Sequence, residues 1–325
     1  MEYTRIIKEV GRGKNHARDI DFDTARALYR EMLAGEVPDL ELGGLLIALR
    51  IKGEGEEEML GFYQAMQEQV MRLTPPAGQP MPIVIPSYNG ARKQANLTPL
   101  LAILLSKLGF PVLVHGVSDD PTRVTSEAVF AALGITAVTD AAAAQAQLDA
   151  GELVFVSVDT LCPPLAKQLS LRWRMGVRNS AHTLAKLATP FGEADALRLS
   201  SVSHPEYIPR VAKFFAAIGG IALLMNGTEG EVYANLQRCP AINLINLDQP
   251  EPLLLLARQE ELTIERDALA ASKEADVTAA WIQRVVNKDL PVPESLRLQI
   301  ACCLVASGYS PDIASGLAEL DALGY

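Results

Sequence analysis

The sequence predicts an α/β chain. A small all-helical N-terminal domain spans residues 1–74, and a larger α/β domain with a mainly parallel central sheet spans residues 81–325. Three observations predict this. Up to residue 73, apolar residues recur at helical spacing. Thr74-Pro75-Pro76-Ala77-Gly78-Gln79-Pro80 then interrupts the pattern and reads as a linker. Beyond it, short continuous apolar runs alternate with capped helical segments, as expected of parallel strands covered by helices on both faces.

The elements follow in order. Asp23 is a candidate cap for a helix over Thr24–Ala34, in which Ala25, Leu28 and Met32 share a face and Gly35 is the stop. Asp39 is a candidate cap for a second helix carrying Leu42, Leu45, Leu46 and Leu49. A third runs from about Glu56 to Leu73, with Met59, Phe62, Met66 and Val70 inward and glutamates at its start, where the helix dipole favours negative charge. Candidate strands are Ile83–Ile85, Val112–His115, Val154–Val158, Ile221–Met225 and Ile242–Ile245. Thr98-Pro99 reads as a cap followed by proline at the first helical position, with Gly109 closing that helix. Ser203-His204-Pro205 opens another in the same way, closed by Gly219, and Ala141–Gln147 is an alanine-rich packing helix.

Composition sets the class. An apolar fraction of 49% with 21% charged residues is that of a soluble globular protein. No apolar run reaches the length of a membrane span, and Met1-Glu2-Tyr3-Thr4-Arg5 lacks a signal-peptide core, so a cytoplasmic protein without membrane contact is expected. Cys162, Cys239, Cys302 and Cys303 show no C-x-x-C spacing and read as reduced, buried thiols. The four histidines are scattered, so no metal and no cofactor is expected.

One stretch stands where a phosphate cradle belongs. Pro86-Ser87-Tyr88-Asn89-Gly90-Ala91 follows the apolar run Ile83-Val84-Ile85 and precedes Arg92-Lys93-Gln94-Ala95-Asn96-Leu97-Thr98-Pro99 and an apolar helix. A cradle needs backbone N–H groups close to an anion, which glycine permits and bulk obstructs. Here Pro86 removes a donor and Tyr88 adds a ring.

That layout resembles the anthranilate phosphoribosyltransferase family, whose loop reads Gly-Thr-Gly-Gly-Asp-Gly and is followed at fixed distance by Asn-Ile-Ser-Thr. Asn96-Leu97-Thr98 keeps the second half. Val114-His115-Gly116 to Leu133-Gly134, Met175-Gly176-Val177-Arg178 with Leu187-Ala188-Thr189-Pro190, Ser203-His204-Pro205-Glu206 and Asn226-Gly227-Thr228-Glu229-Gly230 match further family motifs. The resemblance runs from Met1 to about Asn235. It implies the glycosyltransferase family 3, class IV phosphoribosyltransferase fold, in which helices over about 164–188 join the N-terminal ones. It also implies a homodimer through the N-terminal helices.

The departures fall on the chemistry. The family's phosphate-binding Lys and Arg become Val114 and Ser118, and its magnesium-binding Asp-Glu pair becomes Val232-Tyr233. Glu229 and Glu231 leave a shifted metal site as an alternative, and Arg178 alone survives from the anthranilate pocket. Phosphoribosyl transfer needs Mg²⁺ on oxygen ligands. The expectation is therefore a remnant pocket of Tyr88, Asn89, Gly90, Asn96, Thr98 and His115 with no catalytic residue and no anthranilate phosphoribosyltransferase activity. Tyr88–Lys93 and Arg172–His182 are similar to the YbiB-type branch of the family. That similarity implies DNA or RNA binding and, at family level only, a DNA damage response.

The charge pattern bears on this. The net charge is −10, which opposes polyanion binding unless charge is segregated. From Thr160 to Phe191 there is no Asp or Glu, while Lys167, Arg172, Arg174, Arg178 and Lys186 fall there. A second acid-free window, Gln69–Ser118, holds Arg92 and Lys93, and acid gathers at Glu54–Glu58 and in the C-terminal third. Such a cationic face would bind the nucleic-acid backbone without sequence preference. Those seven cations are expected to contribute, with Lys8, Arg12, Lys14, Arg198, Arg210 and Lys213 as further contributors. Trp173 is read as a core residue rather than a base-stacking one, and Tyr88 stays open between the two. The rival expectations are an enzyme that takes a phosphoribosyl or nucleoside substrate through an altered loop, and a protein-interaction scaffold using the acidic helices.

Overall fold

The computed structural model describes residues 1–260 and 262–325. In chain order the elements are α1 Tyr3–Val10, α2 Phe22–Ala34, α3 Asp39–Lys52, α4 Glu56–Gln67, β1 Ile83–Ser87, α5 Thr98–Lys107, β2 Val112–Gly116, α6 Ser126–Ala132, α7 Ala141–Asp149 and β3 Val154–Ser157. Next come α8 Val158–Leu161, α9 Pro163–Ser170, α10 Arg172–Met175, α11 Ser180–Ala185, β4 Leu197–Val202, α12 Ile208–Ile218, β5 Ile221–Asn226, β6 Ile242–Asn246, β7 Gln249–Leu256, α13 Ala275–Val286, α14 Glu294–Ala306 and α15 Ile313–Leu323.

Two compact units result. The first comprises Met1–Met71 and Val158–Pro190, the second Arg72–Ser157 and Phe191–Tyr325. The helical unit is built on Leu28, Met32, Leu45, Leu49, Phe62 and Met66, all buried. Gln168 of α9 donates to the carbonyl of Met32 at 3.0 Å, and Gln67 donates to that of Thr189 at 3.0 Å, so the mid-chain helices are tied to the N-terminal ones by buried polar contacts as well as by packing.

The α/β unit carries one sheet among the described residues, ordered β3-β2-β1-β4-β5-β6-β7. The pairs from β3 to β5 are parallel, and β6 and β7 are antiparallel. Leu101, Leu105, Val112, Val114, Phe130, Leu223, Ile282 and Ile300 form its core. The C-terminal ends of β1 and β2 carry Ser87 and Gly116, so the loops after them fall at the carboxyl edge, where open α/β sheets bind ligands. No helix among the described residues is long and apolar enough to cross a membrane. The four cysteines are buried and unpaired, as expected.

Several local expectations need correction. Asp21, not Asp23, caps α2, accepting from the amide of Thr24 at 2.8 Å. Asp39 lies inside α3, whose capping position is Pro38. Helix α4 ends at Gln67 rather than Leu73, and the amide of Met71 goes to the carbonyl of Leu161 instead of continuing the helix. Thr98 is the first residue of α5 rather than its cap, and its hydroxyl is spent elsewhere. Two strands were not foreseen. In β4, Arg198, Ser200 and Ser201 interrupt the apolar run, and β7 contains prolines, which only an edge strand tolerates.

Candidate functional site

The loop after β1 folds over a nest of backbone N–H groups that two carboxylates fill. Glu231 Oε1 accepts from the amides of Asn89 at 3.0 Å and Gly90 at 2.6 Å, and its Oε2 accepts from the Thr98 hydroxyl at 2.9 Å. Glu229 accepts from the amides of Arg92 at 2.8 Å, Lys93 at 2.9 Å and Gln94 at 3.4 Å. Glu231 is buried. Both glutamates come from the turn after β5, closed by the paired backbone of Thr228 and Glu231. Glu229 holds φ +52°, a left-handed conformation that costs a side-chain-bearing residue roughly 1–2 kcal/mol. An external anion here would compete with these carboxylates for the same donors.

Sterics explain which glycines remain. Gly90 has φ +69°, and a Cβ there would stand 2.6 Å from the carbonyl oxygen of Val124, across the bridge that Ala91 makes to Val124. At Gly230 a Cβ would stand 2.3 Å from the Asn89 side-chain amide nitrogen. The two loops are therefore in direct contact.

The remaining pocket residues are held by two sets of buried contacts. The Tyr88 hydroxyl lies 2.6 Å from His115 Nδ1, with the rings edge-on. The Asn96 amide donates to Ser126 Oγ at 2.8 Å and its carbonyl accepts from the Thr98 amide at 3.1 Å. Ser126 Oγ is also 2.6 Å from Ser87 Oγ. Tyr88, Asn89, Gly90, Asn96, Thr98 and His115 thus lie together around the loop after β1. Tyr88 is buried, so its open role resolves to packing and its ring offers no face to a base. Ser126 was missed, since nothing marks a serine distant in sequence. The Glu-Gly-Glu run at Glu229–Glu231 was visible, but its partners were not. No group of metal-ligating side chains occurs among the described residues, and both glutamates are taken by N–H donors.

The second candidate surface is cationic and lies in the helical unit. Asn179 caps α11, accepting from the amide of Ala181 at 2.9 Å, and its own amide donates to His182 Nδ1 at 3.1 Å. Burial first, then the Arg178 guanidinium, hold the His182 imidazole down to about 4 from an ordinary 6.5, and Arg172 and Lys186 push the same way. Three cations therefore act on one ring. Arg174 and Lys167 are exposed nearby in sequence. Gly176, at φ +76°, ends α10, so Arg174 and Arg178 do not share a helix.

The window lacking acid in sequence is not free of acid in space. Asp39 stands 3.7 Å from Arg174, both exposed, and Glu54 accepts from the Ser180 hydroxyl at 2.5 Å. Two residues reverse their expected roles. Trp173, read as core, is 54% exposed, with the Arg172 guanidinium 4.4 Å above its ring. Arg198, read as a surface cation, is 2% exposed in β4, ion-paired with Glu193 and lying over Phe215, so it cannot reach a phosphate. Arg92, Lys93, Arg210 and Lys213 are exposed on the α/β unit, as are Lys8, Arg12 and Lys14 on the helical one, Arg12 lying 3.5 Å from Glu9.

Comparison with known proteins places this geometry. Residues 4–70 match the model of the glycosyl transferase family helical bundle domain. The chain is 67% identical over 321 residues to the "Uncharacterized protein YbiB" of Escherichia coli (strain K12), covering 99% of each. It is 24% identical over 304 residues to the anthranilate phosphoribosyltransferase of Desulfitobacterium hafniense (strain Y51), covering 93% of this chain and 89% of that one. The chain belongs to the anthranilate phosphoribosyltransferase-like family. The fold agrees. The anthranilate phosphoribosyltransferase of Thermus thermophilus superposes with a TM-score of 0.78 at 21% identity, over 98% of this chain and 93% of that one. The Saccharomyces cerevisiae enzyme in complex with PRPP and Mg superposes with a TM-score of 0.73 at 14% identity, over 98% and 92%. Within the family fold, the Glu229–Glu231 nest lies at the loop that the sequence aligned with the family's glycine-rich one.

Proposed function

We propose that this chain binds DNA or RNA through the phosphate backbone, with little sequence preference, on a phosphoribosyltransferase scaffold that no longer takes phosphoribosyl pyrophosphate or magnesium. The observation that carries the reading is the convergence of Arg172, Arg178 and Lys186 on His182, with Lys167 and Arg174 exposed on the same stretch of helices. Such groups neutralise phosphates and release condensed counterions. Arg92, Lys93, Lys8, Arg12, Lys14, Arg210 and Lys213 are the further contributors; Arg198 is withdrawn. The loss of the donor site is supported by the nest, whose N–H groups already hold Glu229 and Glu231. A cytoplasmic site of action goes with this reading.

The proposal includes a homodimer through the helical unit. Leu40, Ile47 and Ile51 form an exposed stripe on α3, with Leu40 at 85% and Ile51 at 69% exposure. The stripe borders a groove of about 660 Å³ lined also by Ile7, Val10 and Met175. An unpaired apolar stripe of this kind suits a second copy.

The test is a salt-titrated gel shift with single strands, duplex and RNA. The logarithm of the affinity should fall steeply and linearly with log salt, alike for unrelated sequences. Reversing Arg172, Arg174 and Arg178 together should flatten the slope by roughly one per lost phosphate contact. Unchanged affinity and slope in that variant would remove the assignment. Saturable calorimetric binding of phosphoribosyl pyrophosphate with Mg²⁺ would instead favour the enzymatic alternative.

A further inference from the structure

The sheet of the α/β unit has two edges, and the chain finishes them differently. At β3 it covers its own edge: Val138 bridges to Val156, and the Val138 amide donates to the carbonyl of Phe155 at 2.8 Å. At β7 no strand or bridge lies beyond Gln249–Leu256 among the described residues. Paired to β6 on one side only, β7 keeps a row of backbone N–H and C=O groups on the other. Edges are usually blunted by proline, lysine or inward charge. Pro250 and Pro252 blunt the first half, since neither has an N–H to offer. The second half, Leu253–Leu256, has no such guard. Leu253 is 41% and Leu254 54% exposed, and successive side chains of a strand point to opposite faces, so the open edge is apolar on both. Leu255 and Leu256 pack against the core and hold the strand in place.

The flanks are acidic. Between Leu247 and Glu260 stand Asp248, Glu251 and Glu260, all exposed, against a single cation, Arg258, which lies 3.5 Å from Glu260. A second copy is therefore a poor occupant: antiparallel pairing of β7 with itself would bring this acid-rich stretch against its own copy.

We propose that β7 is a docking edge for an extended partner peptide that carries basic residues beside a short apolar core and adds to the sheet as a further strand. Main-chain hydrogen bonds to Leu253–Leu256 set the register, and Leu253 and Leu254 take apolar side chains on the two faces. Asp248, Glu251 and Glu260 select a basic peptide over an acidic one. The edge uses none of the cations assigned to nucleic acid, so it stands or falls apart from that reading.

The test uses the full-length protein and three fluorescein-labelled peptides, followed by anisotropy at low salt. The first is Lys-Lys-Val-Thr-Ile-Val-Lys-Lys. The second has proline for its threonine and isoleucine, which keeps the charge and removes a donor whichever side of the peptide meets β7. The third has glutamate for every lysine. The first should bind saturably. The second should bind at least roughly 10-fold more weakly, because a missing donor leaves an edge carbonyl unpaired. The third should not bind. Hydrogen exchange should show protection gained at Leu253–Leu256 with the first peptide. Leu253→Thr with Leu254→Thr should weaken the first peptide, and Asp248→Lys with Glu251→Lys should let the third one bind. Circular dichroism should show both variants folded, and the comparison of peptides on the parent needs neither.

Equal binding of the first two peptides shows attraction to net charge alone and overturns the docking edge. No binding of the first peptide, or protection gained on another element instead, overturns it as well. A mass in sedimentation that drops in the double threonine variant shows a second copy on β7 and overturns the assignment to a partner peptide.

Discussion

Removing the Glu231 carboxylate tests whether the nest is a structural latch. Glu231→Ala would leave the amides of Asn89 and Gly90 and the Thr98 hydroxyl without their acceptor in a site where Glu231 is 1% exposed. A buried group losing its partner costs about 1–3 kcal/mol. Water entering the vacated volume recovers part of this, so the expected loss for the three donors is about 3–5 kcal/mol. Glu231→Gln keeps one acceptor oxygen for the two amides, and its NH₂ can donate to Thr98 once that hydroxyl turns to accept. It forfeits charge assistance but also the cost of burying a carboxylate, so about 1 kcal/mol is expected. For a domain of this size each kcal/mol moves the melting temperature by about 2–4 °C. The alanine variant should thus melt roughly 6–20 °C lower in differential scanning calorimetry and the glutamine variant a few degrees lower. Inorganic pyrophosphate should raise the melting temperature of Glu231→Ala and leave the parent unchanged, because only the variant has donors to offer. If Glu231→Ala melts within a degree of the parent, or the parent gains as much from pyrophosphate, the latch argument is wrong.

Three further outcomes are expected. His182 titrates near 4 when folded against 6.5 when unfolded, so the folded state binds fewer protons between those values; its contribution is complete above about pH 6.5 and is lost as pH falls toward 4, by about 1.4 kcal/mol per pH unit. A urea-denaturation series over that range should show the slope, and His182→Asn should flatten it. Leu40→Glu with Ile51→Glu should convert the protein to a monomer in light scattering without lowering its melting temperature; a dimer that persists refutes the α3 interface. Arg198→Ala should destabilise the α/β unit by about 2–4 kcal/mol in denaturant titration, through loss of the Glu193 pair and the packing on Phe215, and should leave nucleic-acid affinity unchanged. A loss of affinity at constant stability would return Arg198 to the binding surface.

The fold class was legible because its signals are local. Continuous apolar runs marked β1, β2, β3, β5 and β6, and the proline-rich break after residue 73 marked the change in pattern. Strand β4 was not legible, although it lies at the centre of the sheet, because Arg198 and two serines interrupt its apolar pattern. Helix caps shifted by a residue or two because Asp21 and Asp23 are equivalent by composition and only backbone direction chooses between them.

The sequence by itself determined which residue types stand at the family positions: Asn96 and Thr98 kept, glycines and carboxylates replaced, cations gathered between Lys167 and Lys186. Only tertiary structure decided what those residues do. It brought Glu229 and Glu231 across more than 130 positions of chain to fill the amide nest, turned Trp173 outward and buried Arg198 against Glu193. Backbone N–H groups, exposure and ion-pair partners are properties of chain segments in contact, and no local pattern encodes which distant carboxylate will meet them.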